Sequence, residues 1–297
     1  MVIRGIRQSL LLSILSVVMS GCVVIPPPIP SPYNRGVEFY DQGKLSEAIE
    51  QYQLALRQDP ADTLAKYNLA VVYQDQGKLS EASRLYQEIL KTTEDANSRI
   101  NLAAIHHAQG NSDAAIQELQ KAVNRDNPNP LSILGEYLER KDQLEEAERY
   151  YGEALKIDDK HAISHYRLGR LYLKQNPVKG VDHLLKAVEL APDVPEYMET
   201  LGNEYERQNQ ILEAINMLER VSVLQPDRAE IYIHLGDLYK RKNYYKEAVS
   251  RYWMALSIEN DNPAVHQTLK ELFESLNKTE QEWLNDNREK GTVAKNP

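Results

Sequence analysis

Gln42-Gly43-Lys44-Leu45-Ser46-Glu47-Ala48 returns residue for residue as Gln76-Gly77-Lys78-Leu79-Ser80-Glu81-Ala82. A looser copy follows at Gln109-Gly110-Asn111-Ser112-Asp113-Ala114-Ala115, and another at Asn243-Tyr244-Tyr245-Lys246-Glu247-Ala248. The small residue that closes the phrase recurs at Ala48, Ala82, Ala115, Ala147, Gly180, Ala214 and Ala248, in steps of 34, 33, 32, 33, 34 and 34 residues. Self-similarity at a fixed period of this length marks a chain built from one repeated supersecondary unit.

Working outward from the phrase, each period carries a second small position: Gly36, Ala70, Ala103, Gly135, Gly169, Gly202 and Gly236. A third position reads Ala55, Ile89, Ala122, Ala154, Ala187, Val221 and Ala255. Small side chains let two helices approach and interlock. Bulky partners sit between them: Leu69, Leu102, Leu134, Leu168, Leu201 and Leu235 in the first helices, and Tyr52, Tyr86, Leu119, Tyr151, Leu184, Leu218 and Tyr252 in the second. Pro60, Pro192 and Pro226 end their units, because proline cannot continue a helix. This pattern resembles the tetratricopeptide repeat. The resemblance implies an all-α, right-handed solenoid of about seven antiparallel helix pairs over 33–262. Residues 263–290 are expected to form capping helices. Leu269, Leu272, Phe273 and Leu276 share one face, and Thr279-Glu280-Gln281-Glu282 opens a short final helix carrying Trp283 and Leu284. Residues 291–297 are expected to be a disordered tail.

Composition fits this expectation. The hydrophobic fraction is 42% and the charged fraction 27%, so both a core and a solvated surface are available. Eighteen Tyr stand against two Phe and two Trp, a bias suited to half-exposed interfaces with the hydroxyl near water. The formal charge of −9 argues against binding to phosphate backbones. With one cysteine, Cys22, the chain can form no internal disulfide and no Cys-rich zinc site.

The opening residues read as an export address. Arg4 and Arg7 precede the uncharged stretch Ser9 to Met19, which is short for a membrane span. Met19-Ser20-Gly21-Cys22 then resembles the lipobox of bacterial lipoproteins, with Met19 where leucine is usual. The resemblance implies a signal peptide over 1–21, cleavage before Cys22 and lipidation of its thiol. An uncleaved signal anchor is the alternative. Loss of Arg4 and Arg7 with the leader would take the formal charge from −9 to −11. Val23, in place of the aspartate that retains such proteins at the inner membrane, implies the outer membrane facing the periplasm. Ile25 to Pro32 is proline-dense and reads as a stiff stalk, so 22–32 is the anchor and spacer.

No catalytic pattern emerges. His161 and His165, four apart, can share a helix face, but no third ligand follows them. His106 stands where other repeats place a packed tyrosine, which suggests a core role. Gly-rich phosphate loops and nucleophile elbows are lacking. The expectation is a protein that is not an enzyme and needs no cofactor or metal.

Two rows on the first helices are candidates for holding a partner. One reads Asn34, Asn68, Asn101, then Ile133, Arg167, Thr200 and His234. Its three asparagines resemble the asparagine ladder in the repeats of O-linked N-acetylglucosamine transferases, which implies a grip on an extended peptide backbone. Asparagine is also simply common at this position. The other row reads Asp41, Asp75, Ala108, Arg140, Lys174, Arg207 and Arg241, and Arg170, Lys240 and Lys242 thicken its basic half. Such a stripe suits an acidic segment or a terminal carboxylate. Cations near helix C-termini also complement the helix dipole with no ligand at all. The paired Lys and Asn of chaperone-binding carboxylate clamps are not reproduced.

Anchor and repeats together resemble bacterial envelope lipoproteins, including the pilotin-type proteins of type IV pilus assembly. The layout implies an adaptor that gathers proteins at a membrane; its partners are other proteins or extended peptides, and not nucleic acid. A component of protein or polysaccharide secretion that captures peptide segments is the second reading. An enzyme with an unrecognised site is the third.

Overall fold

The computed structural model describes residues 30–124 and 126–276. Among these residues there are fifteen helices and no strands. They run as pairs: α1 (Pro32–Asp41) with α2 (Leu45–Gln58), α3 (Thr63–Asp75) with α4 (Leu79–Leu90), and α5 (Ala96–Ala108) with α6 (Ser112–Ala122). Next come α7 (Asn129–Arg140) and α8 (Leu144–Ile157), α9 (Ala162–Leu173) with α10 (Pro177–Leu190), and α11 (Pro195–Arg207) with α12 (Ile211–Leu224). The last pair is α13 (Ala229–Arg241) with α14 (Tyr245–Ile258), followed by α15 (Pro263–Ser275). The fold is an all-α solenoid of the expected kind. The leader, Cys22, the stalk as far as residue 29, Thr279 to Glu282, Trp283, Leu284 and the tail lie outside the described residues.

One boundary differs by a residue. Pro32, assigned to the stalk, is the first residue of α1, and the Ser31 side chain accepts from the Asn34 amide at 3.2 Å. Proline suits that position because its missing N–H has no partner in a first turn. Acidic and amide caps start other helices in the same way. Asp62 accepts from the Ala65 amide at 2.9 Å, Asp95 from Ser98 at 2.6 Å and Asn262 from Val265 at 3.2 Å. The turns inside pairs one to three pass through Gly43, Gly77 and Gly110, all at positive φ. In pairs four, six and seven, Asp142, Asn209 and Asn243 take that conformation.

The chain divides into two compact units, the first ending at Tyr137 and the second beginning at Leu138. In the first unit the core runs through Ala48, Tyr52, Leu69, Ala70, Ala82, Tyr86, Ile89, Leu102 and Ile105. A Cβ on Gly36 would come within 2.6 Å of Tyr52 Cε1, so the small position receives the bulky ring of the partner helix. The second unit repeats the device: a Cβ on Gly236 would meet Tyr252 Cε1 at 2.6 Å, and one on Gly169 would meet Leu184 Cγ at 2.7 Å. Its largest core cluster runs from Tyr166 to Leu238, through Leu184, Met198, Leu201, Ala214 and Leu218. At its end, Val265, Leu269, Leu272 and Phe273 of α15 pack with Ala248, Val249, Tyr252 and Leu256 of α14. Within each unit helices pack against their neighbours in the chain, and first helices also meet, α1 with α3 and α9 with α11.

Candidate functional site: the polar rows of the first helices

In the first unit the asparagine row is wired to tyrosines. Asn68 donates to the Tyr33 hydroxyl at 3.1 Å, and Asn101 donates to Tyr67 and to Tyr86 at 3.0 Å each. Asn101 is only 3% exposed, whereas Asn34, at the first position of the row, is exposed. This corrects the expectation for Asn101. Its amide hydrogens are used inside the protein, because buried tyrosine hydroxyls require partners. Burial drives the Tyr86 hydroxyl far above its ordinary pKa, so it stays protonated and fixed in this network. Asp75, from the second row, accepts from the Tyr40 hydroxyl at 2.7 Å, again tying α1 to α3.

In the second unit the cationic row faces carboxylates. Arg207 grips Glu204 through two bonds, Nε to Oε2 at 2.7 Å and Nη2 to Oε1 at 2.6 Å. This pairing holds the 4% exposed Glu204 carboxyl below the ordinary carboxylate range. Arg241 reaches back one repeat to Glu206, which His234 also contacts at 2.6 Å through Nε2. Arg170 lies 3.9 Å from Glu139 and over the Tyr166 ring at 5.6 Å. Arg140 ends α7 with no open claim to a ligand, since it already has an interaction of its own. Lys174 caps α9 and is exposed, and Lys240 is half-buried on α13. Glu139, Glu204 and Glu206 therefore compensate three cations of the stripe, Arg170, Arg207 and Arg241. Glu204 stands three residues before Arg207 on one helix, a spacing that was visible in the sequence. The Glu206–Arg241 link crosses repeats, and no local spacing announces it.

The histidines make contacts within the second unit and with tyrosine. His161 Nδ1 contacts Ser164 Oγ at 2.8 Å, and His165 Nδ1 lies 2.9 Å from His183 Nδ1 on α10. His165 is 4% exposed, and its Nε2 contacts the Asp159 carbonyl at 3.0 Å. His106 is half-buried on α5, and the neighbouring His107 ring stacks on Tyr137 with centroids 4.5 Å apart. Among the described residues no three His, Cys, Asp or Glu gather as metal ligands. Among them, too, no helix is long and apolar enough to cross a membrane.

These helix pairs, small-to-bulky contacts and Tyr-linked first helices define a repeat scaffold. Tetratricopeptide-repeat profiles match residues 36–77, 62–127, 134–195 and 199–261, and the chain belongs to the tetratricopeptide-repeat proteins. No curated protein matches it in sequence. Among solved structures it is similar to PilF of Pseudomonas aeruginosa, at 16% identity and a TM-score of 0.57, over 70% of this chain and 97% of that one. A tetratricopeptide repeat protein from Parabacteroides merdae matches at 19% identity and a TM-score of 0.53, over 82% of this chain and 97% of its own. The Cut9–Hcn1 hetero-tetramer of the APC/C matches at 16% identity and a TM-score of 0.57, over 82% of this chain, which spans 48% of that chain. At these identities the likeness is one of fold.

Proposed function

We propose that the protein is a membrane-anchored scaffold that holds other proteins for the assembly or positioning of a cell-envelope complex. The observation that carries this reading is the repetition itself: each helix pair offers the same polar rows again, so one partner can be met at several of them. The lipobox at Met19-Ser20-Gly21-Cys22 supports a lipid anchor with the acyl chains on Cys22, and Val23 after it favours the outer membrane. Anchoring raises the local concentration of whatever the repeats hold, and no reaction is required of the scaffold. On the repeats, Asn34, Lys174 and Lys240 are the row residues with the most freedom to meet a partner, since Asn101, Arg207 and Arg241 already hold contacts within the chain.

Affinity capture from detergent-solubilised membranes tests the scaffold reading. A Lys174→Glu, Lys240→Glu variant is expected to recover less partner than the wild type, and recovery of no specific partner by the wild type would refute the scaffold. Mass spectrometry of the wild type and Cys22→Ser tests the anchor. An acyl mass lost in the variant supports it, and a membrane-bound wild type with no acyl mass overturns it.

A further inference from the structure

Counting from the small residue near the start of each second helix places Arg251 three residues after Ala248 and Glu219 five residues after Ala214. Between repeats six and seven these two close on each other. Arg251 Nε and Nη2 lie 2.9 Å from the two Glu219 carboxylate oxygens, and the Tyr239 hydroxyl donates to Oε1 at 2.9 Å. The same register in repeats four and five gives His183, three after Gly180, and Gly152, five after Ala147. Gly152 has no side chain, and a Cβ built there would meet nothing within 4 Å. Where one interface carries a carboxylate, the other has open space.

A cleft of about 250 Å³ opens at His183, lined by Tyr172, Lys179, Asp182, His183 and Lys186. Lys179, His183 and Lys186 follow one face of α10 at helical spacing. The Lys179 ammonium sits over the Tyr172 ring at 5.6 Å. Asp182 is the one carboxylate of the lining. From α8, Glu148 approaches but is engaged by the Tyr172 hydroxyl at 2.7 Å. From α9, His165 meets His183 directly. Lys179 and Lys186 are thus matched by Asp182 and the Glu148 carboxylate, so the extra positive charge an anion would meet is that of a protonated His183.

The histidine pair sets the protonation. His165 Nε2 faces a carbonyl and carries its proton there, so its Nδ1 is a lone pair. His183 Nδ1 must then donate to it, which leaves His183 Nε2 free to take up a proton without disturbing the pair. Burial, then His165, then Lys186 hold the His183 imidazole below its ordinary pKa, with Asp182 opposing them. An anion in the cleft would reverse that balance.

We propose that the cleft at His183 binds a carboxylate side chain from an acidic segment of a partner protein, in the position that Glu219 fills two repeats further on. This rests on the scaffold reading above. Binding is accompanied by proton uptake at His183, so it strengthens as the pH falls.

The test uses the full chain and a fluorescent hexaglutamate peptide, with hexaglutamine as control. Gly152→Glu supplies the chain's own carboxylate and is expected to weaken hexaglutamate binding by about tenfold, while Gly152→Ala leaves it unchanged. Wild-type affinity is expected to be severalfold higher near pH ~5.5 than near pH ~7.5, and His183→Gln to flatten that dependence. Thermal melts of each variant exclude misfolding as the cause. Equal binding of the two peptides, or full affinity in Gly152→Glu, would overturn the proposal, as would displacement of the peptide by equimolar inorganic phosphate. If a native partner is captured equally by wild type and Gly152→Glu, the cleft fails as a site while the scaffold reading stands. If no partner is captured, the scaffold reading itself fails.

Discussion

Asn101 Nδ2 lies 3.0 Å from the hydroxyl of Tyr67, a residue 34 positions earlier, so a single amide joins successive first helices at the period of the repeat. The same nitrogen serves Tyr86, which is fully buried. Replacing Asn101 with Ala removes the amide donor from both hydroxyls, leaving Tyr86 only its bond to Gln74 at 3.3 Å, at a cost of about 1–3 kcal/mol in urea unfolding. Asn34→Ala, on an exposed site, is expected to change stability by less than about 0.5 kcal/mol.

The glycines of the first helices are not equivalent. A Cβ on Gly236 collides with the Tyr252 ring at 2.6 Å, whereas one on Gly202 meets Met217 Cβ at 3.3 Å. Gly236→Ala is expected to destabilise by about 1–3 kcal/mol through overpacking. Gly202→Ala is expected to be close to neutral, since the better helix propensity of alanine, about 1 kcal/mol, offsets a small adjustment. Thermal denaturation of the two variants side by side measures the difference.

Alkaline pH is expected to unfold the protein. Burial raises the Tyr52, Tyr86 and Tyr252 hydroxyls far above their ordinary pKa near 10. The unfolded chain ionises them first and so holds fewer protons than the folded one. Stability therefore falls as pH rises above about 10, by up to about 1.4 kcal/mol per pH unit for each such tyrosine. Tyrosinate absorbance from these residues is expected to appear together with loss of helical circular dichroism, not before it.

Glu219 binds Arg251 and Tyr239 together in a partly exposed network. A double-mutant cycle on Glu219→Ala and Arg251→Ala is expected to return a coupling of about 0.5–1 kcal/mol, diminished by salt. Zero coupling at low salt would mean that the clamp adds nothing to the contact between repeats six and seven.

Much of the fold was legible because its rule is one-dimensional. A small residue every period faces a bulky one in the next helix, and Gly36 against Tyr52 or Gly236 against Tyr252 could be paired by counting. The candidate site was less legible. Counting places Asn101 on the same row as Asn34, yet only packing decides that one is buried and the other open. Arg241 looked uncompensated because Glu206 sits a full repeat away, and His165 finds His183 across a helix hairpin instead of His161 along its own helix. Gly152 gave no signal at all, since an absent side chain matters only when its neighbours are known.

Within each unit, helices pack on those next to them in the chain. Among the described residues these contacts join segments close in sequence, so the entropy of closing long loops barely enters their formation. Folding can begin at any well-formed pair and spread to both sides. An emerging chain can thus complete its first pairs while later ones are still being synthesised.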